Sequence, residues 1–149
     1  MIVAKTLDYF ETEFAKAVQY LDKYADDPQE ETLHQFRVEI KKIRSVFWMM
    51  EELREDKKIV KCHRLVRSIF RKAGIIRELQ LEKNWLNIHR KFDLIRHMRY
   101  EDKIIKANKN LQKAIPGMLK KLGKVRVYSE HFLSELTQQN ANQYVKRKW

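Results

Sequence analysis

Leu33, Phe36, Ile40, Ile43, Phe47 and Met50 stand three or four residues apart, the interval at which side chains gather on one face of an α-helix. Leu7, Phe10, Phe14, Val18, Leu21 and Tyr24 keep the same interval. Neither period-two alternation nor a long β-branched run stands out, and the 149 residues include only three Gly and two Pro. A chain patterned this way is expected to form helices whose apolar stripes cover one another. Its length suits one domain with a real core. The expected fold is therefore all-α, an antiparallel helical bundle of about five or six helices, forming a single domain over residues 1–149.

Helix one is expected over about 3–25. The segment "DDPQEE" supplies a break and a restart, with Asp27 as N-cap, Pro28 at the first helical position and Glu30 in the first turn. Helix two should run from about 28 to 54. Helix three, about 57–73, turns Leu65, Val66, Ile69, Phe70 and Ala73 inward. Gly74 reads as its stop, because glycine takes the left-handed conformation cheaply. Helix four, about 75–98, uses Ile76, Leu79, Trp85, Leu86, Ile88, Phe92 and Ile95. "YEDKIIKANKNLQKAI" is a further helix, and Pro116 with Gly117 breaks or kinks the path after it. "MLKKLGKVRVYSEHFLSEL" is helical with an interruption at Gly123, and the polar tail over 140–149 is expected to fray.

Charge is distributed unevenly along this frame. The first 31 residues hold three Lys against eight Asp or Glu, a net of −5, whereas the other 118 hold 29 basic and 12 acidic side chains, a net of +17. Such asymmetry points to a polyanionic partner, whose local concentration the excess field raises. Within "HQFRVEIKKIR", His34, Arg37, Lys41 and Arg44 share an arc of roughly 80° on a helix turning about 100° per residue. Arg64, Arg67 and Arg71 repeat the spacing, and Arg77 follows beyond Gly74. If helices two and three form a hairpin, both rows border one groove. Guanidinium forks and mobile ammonium groups suit phosphate, and His34 adds a donor or a further positive charge. The competing expectation is that these cations pair on the surface with Glu39, Glu51, Glu52, Glu78 or Glu82.

Signals for chemistry are thin, and the chain is expected to be a binder, not an enzyme. Glu31 and His34 give one Glu-x-x-His pair of the type used in di-iron bundles, but no second pair follows. Side chains of Cys62 and His63, adjacent on a helix, diverge, which disfavours a thiolate–imidazole nucleophile. There is no Gly-rich phosphate loop and no carboxylate cluster suited to Mg²⁺, so neither a metal nor a cofactor is expected. Trp48, at the end of the first basic row, reads as a core-edge residue more readily than as a base-stacking platform. The longest wholly apolar run, residues 46–50, is far short of the ~20 residues that span a bilayer. "MIVAKTLDYFETEF" lacks the plan of a secretory signal, and Cys62 has no partner for an intrachain disulfide. A cytoplasmic location and no membrane partner are expected.

"HQFRVEIKKIR" resembles the defining motif of CHAD domains, the conserved histidine α-helical domains. The matching positions are His34, Arg37, Val38, Lys41, Lys42 and Arg44. A second family feature, a helix ending in Leu-Gly followed after two residues by Arg-Asp-x-Asp, is similar to "AGIIRELQ". Gly74 and Arg77 match there, while Ala73, Glu78 and Gln80 depart. The resemblance covers about residues 1–98 and is strongest within 32–81. It implies a helical bundle lined by basic side chains, like one half of a CHAD domain, that binds inorganic polyphosphate without catalysis. Spacing and resemblance together give the expected site as His34, Arg37, Lys41, Lys42, Arg44, Arg67, Arg71 and Arg77, with Arg67 and Arg71 included on spacing and Lys42 on the family pattern alone. The usual member is roughly twice as long, which leads to the expectation of a homodimer that rebuilds the missing half, against the alternative of a monomer with an open groove. Nucleic acid is the runner-up partner, and a helical module binding an acidic protein is the third.

Overall fold

Two three-residue turns, at 27–29 and 54–56, reverse the chain and set the first three helices antiparallel. The computed structural model describes the backbone of residues 2–89 and 94–148, and the side chains of 4–89 and 94–139. These residues form α1 (Ile2–Asp26), α2 (Glu30–Leu53), α3 (Lys57–Ile88) and α4 (Leu94–Lys148). α1 packs on α2 and α4, and α3 packs on the same two helices. α1 and α3 thus occupy opposite corners of a four-helix bundle. None of the described helices is long and apolar enough to cross a membrane.

The apolar stripes meet in one core. Phe10, Phe14, Leu21 and Tyr24 of α1 are buried against the whole α2 stripe, Leu33 through Met50. Ile59, Val66, Ile69, Ala73 and Ile76 close the core from α3, and residues from Leu111 to Leu136 close it from α4. The α1 end is fixed to α4 by polar contacts. The Tyr24 hydroxyl donates to Asn108 Oδ1, and burial pushes its pKa up to about 12. Gln112 Nε2 donates to the Ala25 carbonyl at 3.0 Å, which satisfies a terminal helix carbonyl.

Four helices replace the expected five or six because three signals read as breaks are absorbed. Gly74 lies inside α3 and is buried. Its missing side chain makes room for a neighbour: a Cβ there would touch the Arg37 guanidinium at 3.4 Å. Close approach, not a left-handed turn, is what this glycine provides. Pro116 and Gly117 lie on the solvent side of α4 between buried Ile115 and Met118. The carbonyl that loses its donor to Pro116 is therefore on the wet face, and the apolar anchors carry the helix through. Gly123, also exposed, has nothing within 4 Å. α4 continues through the tail segment to Lys148. At the start of α2, the N-cap is Gln29, not Asp27, and it makes no side-chain cap bond; Asp27 Oδ1 instead accepts from Gln29 Nε2 at 2.8 Å.

A further correction concerns the ends of α3 and α4, which run past the α1–α2 turn as a two-helix arm. Trp85, Ile88 and Ile95 were expected to face inward but are 48%, 76% and 63% exposed. The turn at 27–29 ends the α1/α2 layer, so α1 and α2 stop short of them. Phe92 lies outside the described residues.

Among the described residues, Asp56 caps a helix with its side chain. Its Oδ1 accepts from the backbone N–H of Lys58 at 2.9 Å and of Ile59 at 3.1 Å, and its Oδ2 accepts from the Tyr128 hydroxyl at 2.8 Å. Burial alone would raise the carboxyl's pKa, but these donors outweigh it and hold the value below the usual aspartate range. Asp56→Ala should cost about 1–2 kcal/mol, from the lost cap and the stranded Tyr128 hydroxyl. In a thermal melt this is a fall of roughly 3–6 °C. Because the folded pKa is depressed, the contribution is complete above the unfolded aspartate value and is lost as pH falls through the lowered one. The difference between wild type and variant should therefore shrink in strong acid. At position 74 a single Cβ fits, so Gly74→Ala should raise stability by up to about 1 kcal/mol. Gly74→Leu should lower it by driving Arg37 from its place, and paired melts of the two variants check this.

Candidate functional site

Where α2 packs on α3, a carboxylate stands at each of the two ends of the seam. At one end Glu30 Oε1 accepts from Arg77 Nη1 at 3.0 Å and from Asn84 Nδ2 at 2.8 Å. At the other end Glu51 Oε1 lies 3.0 Å from Nδ1 of His63. That imidazole is buried, stacked on Phe47 and met edge-on by the half-exposed Trp48. Between these ends stand His34, Arg37, Lys41 and Arg44 from α2, and Arg64, Arg67 and Arg71 from α3. Among the described residues none of the seven has a carboxylate ion-pair partner.

Phe70 is the hub of this stretch. The Arg37 Cζ lies 4.4 Å from its ring centroid, the Arg44 Cζ 5.0 Å and the Lys41 Nζ 6.0 Å. Arg67 and Arg71 flank it on α3, one turn before and one residue after. Each cation–π contact is worth roughly 0.5–2 kcal/mol, depending on desolvation. Two unit charges about 8 Å apart repel by roughly 2 kcal/mol at an effective dielectric near 20. The ring therefore offsets much of the crowding without removing it.

Unmet hydrogen-bonding capacity accompanies the unmet charge. The Nε atoms of Arg37, Arg44 and Arg67 are all buried and lack a partner, which is uncommon for buried polar atoms. Burial, and then the charge of Arg77, lower the pKa of Arg37; Glu78 partly opposes them. Its guanidinium stays charged. The seam thus holds a positive field, and three N–H donors that no protein group accepts.

Two sequence-predicted residues are already engaged by carboxylates. Lys42 points to α1, 3.4 Å from Glu13 Oε2 and 3.3 Å from Glu39 Oε1. Burial, and then a hydrogen bond to Glu13, raise the pKa of Glu39, whereas that bond lowers Glu13. Of the two carboxyl groups, Glu39 is thus the more readily protonated. Arg77 sits at the seam but is engaged by Glu30. The pairing expected with Glu39 thus occurs at Lys42, off the row. Glu31, whose spacing to His34 matched half of a di-iron pair, instead accepts from Gln35 Nε2 at 2.8 Å. Sequence reasoning placed Phe70 in the core and missed its role; its position between Arg67 and Arg71 was the available signal.

The family model described as CHAD domain matches residues 8–146. That span takes in most of α4, which lies beyond the stretch where the sequence alone showed the resemblance. No curated protein and no solved structure matches the chain. With nearly its whole length matched, the chain belongs to the CHAD domain family.

Proposed function

We propose that the α2/α3 seam binds inorganic polyphosphate and does no chemistry on it. The observation that carries this reading is the set of three buried, unpartnered guanidinium Nε atoms at Arg37, Arg44 and Arg67 within a run of unpaired cations. A phosphate chain laid along the seam would supply oxygen acceptors to those donors and neutralise Lys41 and Arg71 as it passes. His34 extends the α2 row one turn beyond Arg37 and would donate one more hydrogen bond. Membership in the CHAD family supports polyphosphate as the polymer. Lys42 and Arg77, already held by carboxylates, stand outside the gripping set.

Nucleic acid carries the same backbone charge, but base recognition needs an open aromatic face. The ring at the centre of the seam, Phe70, is already attended by Arg37 and Arg44. This favours a ligand that is phosphate throughout. Long-chain polyphosphate should displace RNA far more effectively than RNA displaces polyphosphate in a competition filter assay; equal displacement would favour the nucleic-acid reading.

Arg37→Ala combined with Lys41→Ala should weaken polyphosphate binding by about a hundredfold, as two charge-assisted contacts are lost. By analogy with counterion release from nucleic acids, the log–log salt slope should fall by about 1.5. Lys42→Ala should leave both quantities near wild type. An unchanged slope in the double variant, with its helical circular dichroism intact, would sink the assignment. Polyphosphate at a hundred times its Kd should stabilise the wild type by about 2.7 kcal/mol, a rise in Tm of roughly 5–10 °C. At the same concentration the double variant should gain only about 0.4 kcal/mol, a rise of about 1 °C.

A further inference from the structure

The flank of α3 turned away from α2 carries a second basic surface that the seam does not use. From Lys57 to Arg77 the chain has eight Lys or Arg and no Asp or Glu. At about 100° per residue, these cations do not form one row but girdle the helix. Arg67 faces the seam, while Arg71 and Arg64 lie about 40–60° further round. Lys61, Lys72 and Lys58 follow at about 120–180°. Arg64, Arg71, Lys61, Lys72 and Lys58 are all exposed. Positive charge therefore crosses the ridge of α3 without interruption, from the α2 side to the α4 side.

The α4 side is a groove of matching character. Arg96, Arg99, Lys103, Lys113, Lys120 and Lys124 are exposed and lie within an arc of roughly 120° of α4. Among the described residues none of them has a carboxylate ion-pair partner. Three cavities occur in series along this α3/α4 line. One, of 410 Å³, is lined by Arg96, Arg99, Tyr100 and Lys103. The next, of 310 Å³, has Lys72 at its rim and an apolar floor at Ile76 and Leu111. The third, of 680 Å³, is lined by Lys58, Lys120, Lys124, Tyr128 and His131. Of the acidic groups near this line, Glu82 holds the Tyr100 hydroxyl and Asp56 holds that of Tyr128, while Asp102 is an exposed carboxylate among the α4 cations. From Arg96 to Lys124 the track measures about 42 Å at 1.5 Å per residue.

We propose that the α3/α4 groove is a second polyphosphate track, and that one long chain occupies the seam, crosses α3 over Arg71 and Arg64, and continues into this groove. The inference rests on the seam reading above. It gives the protein a preference for chain length: a short oligomer fills one track, whereas a long one engages both, its second contact being intramolecular and strengthened by effective concentration.

Lys120→Ala with Lys124→Ala removes two exposed charges from the groove. Lys5→Ala with Lys23→Ala removes two from α1 and serves as the charge-matched control. Calorimetric titrations with tripolyphosphate and with long-chain polyphosphate should separate them. The groove variant should bind tripolyphosphate at the seam as the control does, yet bind the long chain at least ~10-fold more weakly than the control. Equal long-chain affinity in the two variants would overturn the second track. So would an equal loss for short and long chains, which would mark a diffuse field effect. A loss confined to a homopolymeric RNA would also overturn it and reassign the groove to nucleic acid. Failure of the seam reading has a different signature: Arg37→Ala with Lys41→Ala would then retain tripolyphosphate binding.

Discussion

Three cations converge on one benzene ring, and the arrangement of the α2/α3 face follows from that. Arg37, Lys41 and Arg44 come from α2, Phe70 from α3, and the ring provides the favourable surface that lets so much like charge gather at a helix–helix contact. Neighbouring features serve this meeting. A side chain larger than a methyl group at Gly74 would press on the Arg37 guanidinium. The acidic groups are confined to the ends of the seam, where Glu30 holds Arg77 and Glu51 holds His63. Charge left uncompensated in this way is a cost to the free protein, and retaining it fits a binding surface better than a stabilising contact.

The bundle also sorts charge by position. Of the net −5 of the first 31 residues, −2 lies on α1 and −3 on Asp27, Glu30 and Glu31 at the turn and the start of α2; α1 stands at the corner opposite α3, whose first 21 residues carry no acid. The α1 carboxylates are thereby set apart from the α3 side of the basic seam, which weakens their screening of it. Where α1 does meet a basic residue of α2, at Lys42, the contact is a local carboxylate cluster with Glu13 and Glu39. That local cluster explains how one lysine of a paired motif can face the core side while its neighbour faces the seam. Adjacent residues on a helix are separated by about 100°.

Much of this was legible in the sequence, because helical periodicity and charge spacing survive folding unchanged. The α2 stripe from Leu33 to Met50 is buried as its spacing requires, and the row from Arg37 to Arg44 lies on one edge of it. Helix ends were less legible. Gly74, Pro116 and Gly123 are local signals for a stop, and each was overridden: by a tertiary neighbour at Gly74, and by buried residues on the opposite face at Pro116. The exposure of Trp85, Ile88 and Ile95 could not be read from periodicity, because an apolar stripe does not say whether a partner helix is long enough to cover it. Which cations would be captured by carboxylates was likewise hidden, as the Glu30–Arg77 and Glu13–Lys42 pairs join residues 47 and 29 positions apart.

The most direct test is to follow the side-chain Nε–H signals of Arg37, Arg44 and Arg67 by nitrogen-15 NMR during a titration with polyphosphate. Among the described residues these three donors have no acceptor. The expected result is that all three shift downfield and exchange more slowly with water as ligand is added, while the Arg126 signal, already bonded to Glu130, stays in place. Saturation of the protein with polyphosphate while these three signals remain unmoved would contradict the assignment of the seam as the phosphate cradle.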